Sequence, residues 1–142
     1  MYLRGEYRHK LDAKGRLSLP SKFRKALAEN LVVTLSPKED CLMVFEEEGF
    51  EQWVDSLFMK NGEGFKANNL EQAAQRKKLN SRAKDAEVDS AGRLGIPIDQ
   101  RKKVNLDKEV VLVGDADHFE VWDAKRWDSF TDAVDLDTLF EA

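Results

Sequence analysis

Short alternating and helical apolar patterns recur along the chain, and each type recurs twice in the same order. Glu6 to Leu11 predicts a short strand that runs into a tight turn at Asp12-Ala13-Lys14-Gly15. Arg16-Leu17-Ser18-Leu19-Pro20 then alternates as a strand, with Leu17 and Leu19 on one face. The proline ends that strand and suits the first turn of a short helix carrying Phe23 and Leu27 on its inner side. A hairpin follows, from Leu31 to Leu35 through Ser36-Pro37-Lys38-Glu39-Asp40 to Cys41–Phe45. An amphipathic helix with Phe50, Trp53 and Leu57 on one stripe closes the series. The second series starts with a strand at Lys84 to Val88 and the turn Asp89-Ser90-Ala91-Gly92. Arg93-Leu94-Gly95-Ile96-Pro97 comes next, then a helix and a hairpin from Val110–Val113 to Phe119–Trp122 through a turn at Gly114-Asp115-Ala116-Asp117. A closing helix carries Trp127, Phe130 and Val134.

The two series align at an offset of 77 residues without a gap, so that Arg24 meets Arg101, Val33 meets Val110 and Trp53 meets Phe130. A slip of one residue around Val32 to Leu35 leaves the match intact. The expected fold class is α+β, with units at 5–48 and 83–126. A helical connector spans 49–82, and a helix with an acidic tail occupies 127–142. Within the connector, Lys60 to Asn69 reads as a mobile loop and Leu70 to Lys84 as a helix bearing Arg76, Lys77, Lys78 and Arg82. Units of about 40–50 residues sit near the lower limit for independent folding, and their strands leave open edges. A core shared about a pseudo-two-fold axis is therefore expected.

Composition changes this picture in one respect. Of the 142 residues, 35% are charged, well above the typical fraction of about 25%. The longest apolar run, Cys41 to Phe45, is far short of the roughly 18 residues of a membrane span. The N-terminal segment lacks the apolar stretch of a secretory signal. A single cysteine fits a reducing compartment, hence a cytoplasmic location. The net charge of −4 counts against nucleic acid as a partner until it is divided. Residues 1–30 hold eight basic and three acidic residues, a net +5, and the other 112 carry −9. A basic turn beside strands can place lysine on phosphates while an arginine reaches a base edge.

The stretch Arg4-Gly5-Glu6, then Leu11-Asp12-Ala13-Lys14-Gly15-Arg16-Leu17-Ser18-Leu19-Pro20 with Arg24, resembles the N-terminal signature of the MraZ family. The second Asp89-x-x-x-Arg93 unit fits at its spacing, and the likeness extends from Arg4 to about Phe130. The resemblance implies two tandem SpoVT–AbrB-type, swapped-hairpin units that build a barrel. It also implies a closed homo-oligomeric ring on the nucleoid, binding to repeated boxes in double-stranded promoter DNA upstream of a division and cell-wall gene cluster, and no catalytic activity. Carried over by position, the DNA contacts are Arg16 first, then Lys14, with Arg8 and Lys10 as additions. Asp12, Gly15, Asp89, Gly92 and Arg93 read as turn and structural residues, and Ala91 stands where the first unit has Lys14.

Other chemistry competes for some of these residues. Arg16 could instead pair with Asp12 and hold the turn. Asp12 and Asp89 could meet across an axis as paired carboxylates, but each lies four residues from an arginine that would keep it ionised. Cys41 and His118 occupy equivalent positions without a third orienting group. Two histidines and one cysteine lack zinc-ligand spacing, and no cofactor or small-molecule ligand is implied. The aromatic pairs Phe50/Trp53 and Trp127/Phe130 read as core. The basic set on 70–84 could form a second DNA patch or a solvated helix face, and the favoured reading pairs it with the acidic C-terminal third, within the chain or across a subunit boundary. An antitoxin- or adaptor-like interaction module on the same fold is the alternative function.

Overall fold

A computed structural model describes residues 1–60 and 62–141; Asn61, inside the expected loop, and Ala142, at the end of the expected tail, lie outside the described residues. The first half contains β1 (Glu6–Lys10), β2 (Arg16–Ser18), α1 (Ser21–Ala26), β3 (Asn30–Leu35), β4 (Leu42–Glu46) and α2 (Glu47–Leu57). After α3 (Leu70–Ser81) come β5 (Lys84–Glu87), β6 (Arg93–Gly95), α4 (Ile98–Lys103), β7 (Glu109–Asp115), β8 (His118–Asp123), α5 (Ala124–Ala133) and α6 (Asp137–Phe140). The class is α+β, and every strand pair is antiparallel.

The two halves exchange strands. A six-stranded sheet runs β1-β7-β8-β4-β3-β5, so β1 pairs with the second half's β7 and β5 pairs with the first half's β3. A separate two-stranded ribbon joins β2 to β6. The pairs Leu17↔Leu94 and Met43↔Glu120 each join residues 77 apart, which places both on a pseudo-two-fold axis. Leu17 and Leu94 are fully buried there. One core collects Leu17, Phe23, Leu31, Val33 and Val44 from the first half with Leu94, Val110, Leu112, Phe119 and Val121 from the second.

Several expectations change at the level of individual elements. The 77-residue register does not hold through β3 and β7. Leu31↔Glu46 matches Val110↔Asp123, so those strands correspond at an offset of 79. The slip is two residues, not one. A one-residue slip would turn every core side chain outward, whereas two keeps each face. Two extra residues before β7 hold Asn105 in the left-handed region, with φ 53°, and a hairpin two residues shorter restores the register at β8. That turn is Ala116-Asp117, with Ala116 at φ 65°. Gly114, expected in the turn, lies in β7, where a Cβ would approach Arg4 N to 2.4 Å. The helix expected to 84 ends at Ser81, and the acidic tail forms only the short α6.

The two closing helices also differ. α2 buries Phe50 and Val54 against Val32, Met43 and Phe45, with Trp53 packed alongside. α5 buries no residue, Phe130 is 45% exposed, and Val134 falls beyond the helix. The cause is polar substitution at equivalent sites: Glu120 stands for Met43 and Thr131 for Val54. Trp127 and Phe130 pack on Trp122 instead, with centroids 5.3 and 4.7 Å away.

Candidate nucleic-acid interface

Each Asp-x-x-Gly turn is an aspartate clamp. Asp12 Oδ1 accepts the backbone N–H of Lys14 (2.9 Å) and of Arg16 (2.8 Å), and its Oδ2 accepts Arg16 Nε at 2.7 Å. Asp89 repeats this with Ala91 (2.9 Å), Arg93 (2.9 Å) and Arg93 Nε (3.0 Å). Gly15 and Gly92 close the turns at φ 73° and 78°, in the left-handed region that suits glycine. The Arg16 backbone N–H, followed by its guanidinium, holds the Asp12 carboxyl below the usual carboxylate range. Arg93 does the same to Asp89. Both carboxylates are thus ionised and paired, which is the wrong protonation state for a shared-proton dyad.

Strand exchange brings the turns onto one ribbon. Leu17 and Leu94 point inward, while Arg16, Ser18, Arg93 and Gly95 lie on the other face of β2 and β6. The turns precede antiparallel strands, so they sit at opposite ends of a ribbon about 10 Å long at about 3.3 Å per residue. Each turn also receives an arginine from the other half. Arg24 on α1 donates to the Ser90 carbonyl at 2.8 Å. A Cβ on Gly92 would lie 2.8 Å from the Arg24 guanidinium, and one on Gly15 would lie 2.4 Å from that of Arg101 on α4. Arg24 and Arg101 were not among the sequence candidates, although their shared repeat position was visible.

The four candidate cations separate. Arg16 lies on the ribbon, with its Nε taken by Asp12 and its two Nη groups donating no hydrogen bond among the described residues. Lys14 is exposed in the adjoining turn. Lys10 is exposed at the end of β1, opposite Glu109. Arg8 is engaged elsewhere: Nη2 meets Asp128 Oδ1 on α5 at 2.5 Å and Glu6 Oε2 at 3.7 Å. Arg93 has the geometry of Arg16 but lacks a neighbouring lysine in its turn.

Other groups fit catalysis or metal binding poorly. Burial pushes the Cys41 thiol far above its ordinary range, so it stays protonated. His118 has Nδ1 2.9 Å from Asp117 and Nε2 3.0 Å from Glu120, and it stacks on Phe45. Asp115, His118 and Glu120 place ligand atoms within 4.8 Å of one another. Burial alone would lower the His118 pKa, but hydrogen bonds to Glu120 and Asp117 raise it overall. Both ring nitrogens thus lie within hydrogen-bond distance of a carboxylate. Among the described residues, no helix is long and apolar enough to cross a membrane.

Comparison with known proteins agrees with the duplicated motif. The family model described as "MraZ protein, putative antitoxin-like" matches twice, over residues 2–86 and 79–141. A protein of Lachnoclostridium phytofermentans named Transcriptional regulator MraZ is 41% identical over 88% of this chain and 84% of its own. Bearers of the same name in Mycoplasmoides gallisepticum and Mycolicibacterium smegmatis are 35% and 36% identical over 91% of this chain, covering 87% and 86% of theirs. The duplicated aspartate clamp, the exchanged strands and these matches lead to one statement: the chain belongs to the MraZ family.

Proposed function

We propose that the chain is a sequence-specific DNA-binding transcriptional regulator that works as a closed homo-oligomeric ring. On this reading it is cytoplasmic and nucleoid-associated, and it binds repeated boxes in promoter DNA upstream of a division and cell-wall gene cluster. The units at 5–48 and 83–126 act as swapped-hairpin, SpoVT–AbrB-type halves. Strand exchange between β1 and β7, and between β5 and β3, supports that assignment.

The observation that carries the reading is the ribbon arginine held by an aspartate beside a free lysine. Guanidinium has five donors. Asp12 takes Nε, fixes the side chain and leaves both Nη groups for an acceptor. A two-stranded ribbon fits the major groove, where arginine recognises guanine by two parallel hydrogen bonds. Lys14 adds a phosphate contact that positions the ribbon without reading sequence. The reading assigns no catalytic step to Asp12 or Asp89, and no cofactor.

The relatives' shared name, Transcriptional regulator MraZ, supports the same role. The test is fluorescence anisotropy with DNA from upstream of the chain's own gene. Arg16→Ala is expected to weaken specific binding about 5- to 150-fold, matching about 1–3 kcal/mol for one bidentate base contact. Lys14→Ala should weaken specific and random DNA alike and reduce the salt dependence by about one counterion. Unchanged affinity in Arg16→Ala would refute the residue assignment, and no binding at low salt would refute the function. The antitoxin-like description of the family model favours one second reading, a protein-binding module. A stoichiometric protein partner that abolishes DNA binding would decide for it.

A further inference from the structure

The basic helix and the acidic tail do not meet within one chain. Residues 57–84 carry seven basic and two acidic residues, a net +5. Residues 132–141 carry four acidic residues and no basic one. Among the described residues, no ion pair or side-chain hydrogen bond joins the two segments. The cations there have other surroundings: Arg76 lies 3.7 Å over the Phe65 ring, and Arg82 donates to the carbonyls of Leu35 and Ser36 at 3.2 Å. Pairing within the chain is thus not formed among the described residues, which leaves pairing across a subunit boundary, a second nucleic-acid patch or a solvated face for this basic set.

Shape agrees with charge. A groove of about 560 Å³ lies between α2 and α3, with Leu57, Phe58 and Leu79 among its walls and Lys60, Lys78 and Arg82 around them. The tail presents Leu136, Leu139 and Phe140 at 50, 75 and 74% exposure. Their spacing of i, i+3, i+4 is one stripe of a helical turn. Asp135, Asp137 and Glu141 flank it. Exposed apolar residues at this spacing, bordered by charge, have the pattern by which an amphipathic helix anchors in a groove. The tail leaves from the β7–β8 half, whereas the groove lies against the β3–β4 half, so the two surfaces differ. A contact between two different surfaces of identical chains is heterologous and propagates until it closes.

We infer that residues 132–141 of one copy dock in the α2–α3 groove of the next, and that this contact repeats around the closed assembly. It rests on the ring reading above. The test is the mass of the full chain in solution, by sedimentation at two salt concentrations. Lys77→Glu/Lys78→Glu and Asp135→Lys/Asp137→Lys are each expected to weaken assembly tenfold or more, and joining the two reversals in one chain restores it. Leu139→Asp/Phe140→Asp should dissociate the assembly with no such rescue. All these positions are exposed, so circular dichroism should stay at the wild-type signal.

If the wild type assembles and both charge reversals leave its mass unchanged, the docking is overturned and the ring reading stands. A monomeric wild type overturns both. Loss of DNA affinity in Lys77→Glu/Lys78→Glu with the mass unchanged overturns the docking and assigns α3 to nucleic acid.

Discussion

At the scale of single residues, the proposed nucleic-acid surface depends on two glycines as much as on its cations. Gly15 and Gly92 combine a left-handed backbone with an arginine from the other half lying against the missing side chain. Gly15→Ala therefore meets two costs. The backbone penalty is about 1–2 kcal/mol, and the Arg101 guanidinium must move. The expected outcome is a fall in melting temperature of about 2–8 °C, together with weaker DNA binding, read by thermal melting and anisotropy on the same sample. The Asp-x-x-Gly-Arg spacing made the clamp legible in the sequence, because an aspartate, a turn and an arginine four residues on can satisfy one another locally. The placement of Arg24 over Ser90 was not legible, since it arises only when one half's helix meets the other half's turn.

At the scale of elements, the second hairpin carries a charge cluster that the first lacks. Three carboxylates, on Asp115, Asp117 and Glu120, face the His118 ring, and Phe45 covers it. Its pKa is raised, so the sign is fixed: the added stability is fully present below the unfolded value of about 6.5 and disappears as pH rises through the folded value. Melting temperature should therefore fall from pH 6 upward in the wild type, and His118→Gln should flatten that slope. The opposite sign holds at the turns, where Asp12 and Asp89 lose their contribution as the medium is acidified below the ordinary carboxylate range. Periodicity alone found the strands and helices, but it gave α5 the same burial as α2. The difference lay in Glu120 and Thr131, polar residues at positions where a helix-docking face needs apolar ones.

At the scale of the whole molecule, neither half is a separate body. β1 finds its sheet partner in β7, β5 finds its own in β3, and Leu17 is buried against Leu94 on the axis. Residues 1–82 expressed alone are therefore expected to give no cooperative melt as a monomer. Addition of residues 83–142 should restore the far-ultraviolet circular dichroism of the full chain. Two separate signals, from two independently folding halves, would contradict the shared core. The duplication was legible as a repeat of motifs, and unit size and open edges made a shared core the expectation. The pairing of each first strand was not, because a strand's apolar pattern specifies a face and not a neighbour.

The matched length changes on either side of β7 carry a rule for how this architecture can vary. Two residues gained before the strand are offset by two lost from the hairpin after it, so β8 still meets β4 with Met43 opposite Glu120. The strand between them can move along the sheet like a sliding bolt, provided that its ends are adjusted together and by an even step. Designed insertions before β7 should accordingly be tolerated in pairs when the following turn is shortened to match and a glycine is kept at the place beside Arg4, and single-residue changes should not.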